Sequence, residues 1–201
     1  MEMSMVSICV EPSWVVRLAL LAALLFLAVG LPIAIRTRRL GIALAAFPLL
    51  VNGVATYLGL VTVYEAKSRF PSAALSAGLA EAQMSLLFGA AAAVVASLIA
   101  AISASRRPND EKPNRVLLII VVAAATITAV EPPFALVFER YASRVLLISV
   151  AGFVFAGALA GLIASRGAAA KPLLIAGACE AAIGVEAWLA MRHFTHTAAL
   201  G

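Results

Sequence analysis

The chain has 201 residues, 64% of them hydrophobic and only 12% charged, with a mean hydropathy of +1.05. A soluble domain carries roughly 25% charged residues, so this sequence lacks the polar surface to coat a globule in water. The formal charge of +5 and pI of 9.8 come without aromatic-interleaved basic patches, which excludes a nucleic-acid partner. The basic residues lie between long apolar runs, where membrane topology accounts for them.

The expected fold is all-α: one polytopic, membrane-embedded helical bundle over residues 1–201, with the lipid bilayer as its surroundings. A span needs about 20 mainly apolar residues, and spans are expected near 14–35, 40–64, 73–104, 116–138, 145–164 and 172–191. The stretch before Trp14 holds Glu2 and Glu11 but no Lys or Arg, and the first apolar run ends in Arg36-Thr-Arg-Arg39 without a small-residue cleavage site. That run reads as a retained helix and not as a secretory signal. Cys9 precedes it and Cys179 lies inside the last span; their different depths argue against a disulfide.

The second run places Pro48, Asn52, Thr56 and Gly59 on one helix face. The stripe ends at the apolar Val63. In the third run Gly78, Glu81, Ser85 and Gly89 share a face, and Ser85, Gly89, Ala93, Ser97 and Ala101 form a small-residue ladder that lets another backbone approach closely. If the two polar faces meet, Asn52, Thr56, Glu81 and Ser85 form a buried hydrogen-bonded cluster or line a narrow wet path. The third run is longer than a bilayer requires, so it tilts or projects into water. The fourth is interrupted by Glu131-Pro132-Pro133, where two donors are lost. Its helix is expected to stop there, leaving Phe134–Phe138 at the interface. In the fifth, Gly157 and Gly161 repeat the small-residue spacing, serving packing within the chain or between subunits.

Lys and Arg placement sets the orientation. Arg36, Arg38, Arg39, Arg106, Arg107, Lys112, Arg115, Arg166 and Lys171 fall on one side; Arg17, Lys67, Arg69, Arg140, Arg144 and Arg192 fall on the other. The larger set belongs in the cytoplasm, which puts both ends outside. Trp14, Tyr64, Tyr141 and Trp188 then fall near the outer boundary, where amphipathic rings prefer to sit. The Ala-rich composition points to a bacterial inner membrane.

Acids in hydrocarbon are expensive and are functional candidates by default. Glu81 lies about 15 Å along a helix from Pro71, and Glu180 about 13 Å from Lys171, which places both near mid-membrane. A carboxyl there can bind and release a proton or hold a cation, or it can simply hydrogen-bond a neighbouring helix. Glu186 lies nearer the outer surface, where water would solvate it. Gly177-Ala-Cys-Glu-Ala181 echoes Gly78-Leu-Ala-Glu-Ala82, and two three-span halves of opposite topology are a transporter arrangement. His193 and His196, at i, i+3, are too few for a zinc site, so no metal or cofactor is expected. With no phosphate loop, nucleophile elbow or Cys-pair metal box, an enzyme is not expected either.

Ala45-Ala-Phe-Pro-Leu-Leu50 followed by Ala55-Thr-Tyr-Leu-Gly-Leu60 resembles the APLLGLLGTVxGM helix of the MotA/TolQ/ExbB proton-channel family. Gly78-Leu-Ala-Glu-Ala82 followed by Gly89 resembles that family's GIxEALxTTxxGL helix. The resemblance covers residues 40–104. It implies an ion-channel or stator-like subunit, oligomeric, surrounding single-span partners in a larger inner-membrane complex. By it, Thr56 matches the pore threonine, Glu81 the acid opening the second motif, and Ser85 the first of its paired threonines. Leu86 stands where the second threonine belongs, the first motif aligns with a one-residue shift, and three spans replace a cytoplasmic tail. The alternatives are a small secondary transporter using Glu81 and Glu180, and a non-transporting membrane scaffold. The ion-pathway candidates are thus Asn52, Thr56, Glu81, Ser85 and Glu180; the packing candidates are Gly89, Ala93, Ser97, Gly157 and Gly161.

Overall fold

The computed structural model describes residues 14–66, 72–106, 115–136, 143–165 and 169–200, with side chains at 14–65, 74–106, 119–131, 147–165 and 169–199. Glu2, Cys9, Glu11, Lys67, Arg69, Pro71, Arg107, Lys112, Phe138, Arg140, Tyr141 and Arg166 lie outside the described residues, as do the side chains of Arg115, Pro132, Pro133, Phe134 and Arg144. Everything described is helix or short turn, without strands. The helices are α1 (Trp14–Leu25), a π-helical turn (Phe26–Gly30), α2 (Leu31–Arg36), α3 (Ile42–Ala45), α4 (Phe47–Ala66), α5 (Ser72–Arg106), α6 (Arg115–Leu136), α7 (Ser143–Ala164) and α8 (Ala170–Leu200).

Among the described residues, five helices are long and apolar enough to cross a membrane: Trp14–Arg36, Phe47–Glu65, Ala74–Arg106, Leu147–Ala164 and Ala170–Ala199. A membrane protein is therefore the right class. In α6 the described apolar stretch is shorter, Ile119–Glu131. Contrary to expectation, α6 does not stop at Glu131; it runs on to Leu136. The two prolines remove donors in what is nearly its last turn, so few hydrogen bonds are lost before the helix ends in any case.

Proline acts differently in the first span. Pro32 has no N–H to offer and its ring crowds the carbonyl four residues earlier. The Leu31 N–H reaches the Phe26 carbonyl, five residues back, which opens the π turn. The Phe26 ring then packs on Phe47, with centroids 5.5 Å apart. After α2 the chain reverses at Arg38, whose φ is +54°. Arg39 N–H donates to Ala34 O (3.0 Å) and Arg38 N–H to Ile35 O (3.2 Å), the two bonds of a Schellman ending. The basic Arg36–Arg39 segment is thus a tight turn that delivers Leu40 into the core, fully buried.

Helix α5 is the hub. It packs antiparallel to α8, with Ala90 facing Gly184 and Ser97 facing Gly177, and antiparallel to α4, with Ala82 facing Gly59 and Gly89 facing Asn52. Helices α6 and α7 pair, and α1 lies against α4. The interior is built of small residues: Ala45, Ala46, Ala80, Ala93, Ala96 and Ala176 are fully buried. Large side chains such as Trp14, Leu24, Ile119 and Leu147 point outward. Lipid is as apolar as leucine, so helices in it associate through close backbone packing instead of by hiding large side chains.

The α5 ladder fits that logic, since Ser85, Gly89, Ala93, Ser97 and Ala101 are all buried. Gly157 and Gly161 do not. A Cβ at either would meet nothing within 4 Å, and both are exposed. The inward face of α7 is taken by Ala156, Leu159 and Ile163, which leaves the glycines on the opposite side. They pack against nothing among the described residues.

Candidate functional site

The two polar faces singled out in α4 and α5 do meet. Asn52 Nδ2 donates to Pro48 O at 2.8 Å and reaches Ala19 O of α1 at 3.4 Å. Ser85 Oγ donates to Asn52 Oδ1 at 3.0 Å. Thr56 Oγ1 lies 2.9 Å from Ala82 O across the interface and 2.8 Å from Asn52 O on its own helix. Asn52, Thr56 and Ser85 are fully buried. Gly89 makes the approach possible, because a Cβ there would fall 2.5 Å from Asn52 Cβ and 2.9 Å from Pro48 O. Asn52, Thr56 and Ser85 thus form a buried hydrogen-bonded cluster. Glu81, one turn from Ser85, is only half buried and stands at its margin. Leu86 is buried in the main apolar core.

Glu180 lies elsewhere. It is fully buried on α8, beside Ser97 of α5, and neither its carboxyl oxygens nor the Ser97 hydroxyl completes a hydrogen bond. Ser97 is sixteen residues beyond Glu81, or about 24 Å along α5. Glu81 and Glu180 are therefore at different levels and do not share one cavity, although equal spacing from their apparent helix starts placed both at mid-membrane. The discrepancy comes from the length of α5, 35 residues, whose start is a poor marker of depth.

A second polar group is not apparent from the sequence. Glu131 (α6), Glu186 (α8) and Gln83 (α5) are 1%, 7% and 2% exposed. Glu186 is the acidic neighbour that acts on Glu131, and the Gln83 side chain stands beside the Glu131 carboxyl. Both Glu131 oxygens and Gln83 Oε1 nonetheless lack hydrogen-bond partners. Glu186 was expected to be solvated; it is buried because α8 runs on to Leu200 and carries Ala190, Met191 and Phe194 into a second apolar cluster with Leu60, Leu79 and Met84.

Between α5 and α8 an apolar hollow of about 430 Å³ is lined by Leu87, Ala90, Val94, Gly184 and Trp188 among others. No family model, curated protein or solved structure matches the chain.

Proposed function

We propose that this protein is an ion-channel or stator-like subunit of a bacterial inner-membrane complex, crossing the bilayer six times with both ends outside. The observation that supports this reading is the union of α4 and α5 through Asn52, Thr56 and Ser85, with Glu81 half exposed at its edge. Of these, Thr56, Ser85 and Glu81 are the positions that, by the resemblance, match the pore threonine, the first paired threonine and the acid of the proton-channel family. Thr56 bonds to Ala82, the residue next to Glu81, and buried hydroxyls close to a carboxyl are groups through which a proton could be passed between helices. The outward-facing Gly157 and Gly161 and the apolar hollow beside Trp188 offer surfaces for a second copy and for a single-span partner helix.

Proton influx into proteoliposomes, driven by a potassium-diffusion potential and read with a trapped pH dye, tests the proposal. Thr56→Val and Glu81→Gln should each lower flux at least about tenfold while the protein stays monodisperse. Normal flux in both variants sinks the reading.

A small secondary transporter is the second reading, favoured by the unpartnered, fully buried Glu180. It would work through Glu180 and Ser97 without Glu81, so Glu180→Gln would abolish exchange that Glu81→Gln leaves intact.

A further inference from the structure

Helix α8 carries a cation that folds back along the span. Side chains on a helix lean toward its N-terminus, and Trp188 and Arg192, four residues apart, share a face. The Arg192 guanidinium carbon accordingly lies 5.7 Å from the Trp188 ring centroid, and that ring is the described partner of its charge. A π face attracts a cation but does not take up the five N–H donors of a guanidinium as a carboxylate or phosphate does. The two described acids of α8, Glu180 and Glu186, are buried, whereas Arg192 is exposed.

Trp188 also stands at one end of the apolar hollow between α5 and α8, which reaches back to Ala181, about 10 Å along the helix. Ala90 and Gly184, both buried, form its floor, because small residues there leave no side chain to fill it. A spanning helix needs about 30 Å of surface and is about 10 Å across, so it would lie over this hollow. An acyl chain, unbranched and one methylene wide, fits inside. The volume of about 430 Å³ falls within the roughly 300–1,000 Å³ of small-ligand sites.

We propose that the hollow between α5 and α8 seats one acyl chain of an anionic phospholipid whose phosphate is held by Arg192. Apolar groove and cation are joined through Trp188, an amphipathic ring of the kind that favours the headgroup level. A zwitterionic headgroup brings its own cation, which competes with Arg192 for the phosphate; an anionic one does not. The site uses none of Asn52, Thr56, Glu81 or Ser85, so it stands or falls separately from the proposed ion pathway.

Quenching of Trp188 fluorescence by lipids with brominated chains tests this. Trp14, the other tryptophan, is first replaced by Phe; it is 73% exposed, so its loss spares the packing. The full chain is reconstituted in vesicles of equal parts phosphatidylglycerol and phosphatidylcholine, with bromine on one lipid or on the other. Phosphatidylglycerol should associate at least about fivefold more strongly, the weight of one basic residue at a lipid surface. Arg192→Gln should make the two lipids equal. Ala181→Phe, which fills the hollow from an exposed position, should abolish the preference with Arg192 still in place. Should Arg192→Gln fail to fold, high salt serves instead, because screening should erase the headgroup contact. Equal quenching by both lipids in the Trp14→Phe protein overturns the proposal. So does weak quenching by both, the sign of a protein helix over the hollow, or a preference that survives Arg192→Gln, high salt or Ala181→Phe.

Discussion

Ser85 Oγ donates to Asn52 Oδ1 across 3.0 Å, joining α5 to α4 where both side chains are fully buried. Removing the hydroxyl leaves an amide oxygen in a region that water does not reach. Ser85→Ala should lower stability by about 0.6 kcal/mol and at most about 1.7 kcal/mol, the mean and maximum for interhelical bonds in bilayers, as read by reversible unfolding in mixed micelles. Asn52→Leu should cost more, because it also breaks the contacts to Pro48 and Ala19.

Glycines in α5 and α7 should respond differently to one added methyl. Gly89→Ala drives a Cβ into Asn52 and the Pro48 carbonyl, and a loss of about 1–3 kcal/mol is expected from overpacking. Gly157→Ala, with open space around it, should stay within about 0.5 kcal/mol for the isolated chain. If copies of the chain associate through this α7 face, the same variant should shift a crosslinked oligomer toward monomer on a gel.

Arg38 holds a left-handed conformation that favours glycine. Arg38→Gly should therefore stabilise the α2–α3 turn by about 1 kcal/mol, seen as a higher unfolding midpoint. It also removes a charge from the side assigned to the cytoplasm, so a topology reporter fused after residue 41 should show a weaker inward bias.

Glu180 carries two oxygens without partners in a fully buried position. Replacing it with methionine should raise stability by about 1–3 kcal/mol, because an unsatisfied polar group is exchanged for an apolar one of similar length. Increased stability with loss of exchange in Glu180→Met would mark the acid as kept for use; increased stability with full activity would mark it as dispensable.

The helical bundle was legible because its signal is long: apolar runs of twenty residues and more cannot be read otherwise. The Asn52–Thr56–Ser85 contact was legible too, since polar residues spaced by four in an apolar run must share a face and seek one another. Glu131, Glu186 and Gln83 were hidden for three separate reasons. Pro132 and Pro133 made Glu131 look like a helix end, whereas α6 continues past it. Glu186 was placed by counting toward an assumed surface, and α8 extends further. Gln83 is uncharged and sits off the spaced ladder, so only the third dimension brings it to an acid from another helix. The inward or outward facing of Gly157 and Gly161 was likewise undecidable from spacing, because a stripe of small residues has the same pattern on either side.

The π turn at Phe26–Gly30 is a one-residue surplus in an otherwise α-helical span. Each residue turns an α-helix by about 100°, so the surplus lets the halves on either side of it be aimed independently: Val16, Ala19 and Ala23 inward on one, Leu31 and Ala34 inward on the other. Winding the same residues as continuous α-helix would turn one half by about 100° and carry its inner stripe out of the bundle, whereas deleting one residue between Phe26 and Gly30 removes the surplus and leaves both stripes facing inward. The first crossing therefore reads like a spliced rod, with Pro32 as the mark of the splice and Phe26 against Phe47 as the pin that fixes its angle.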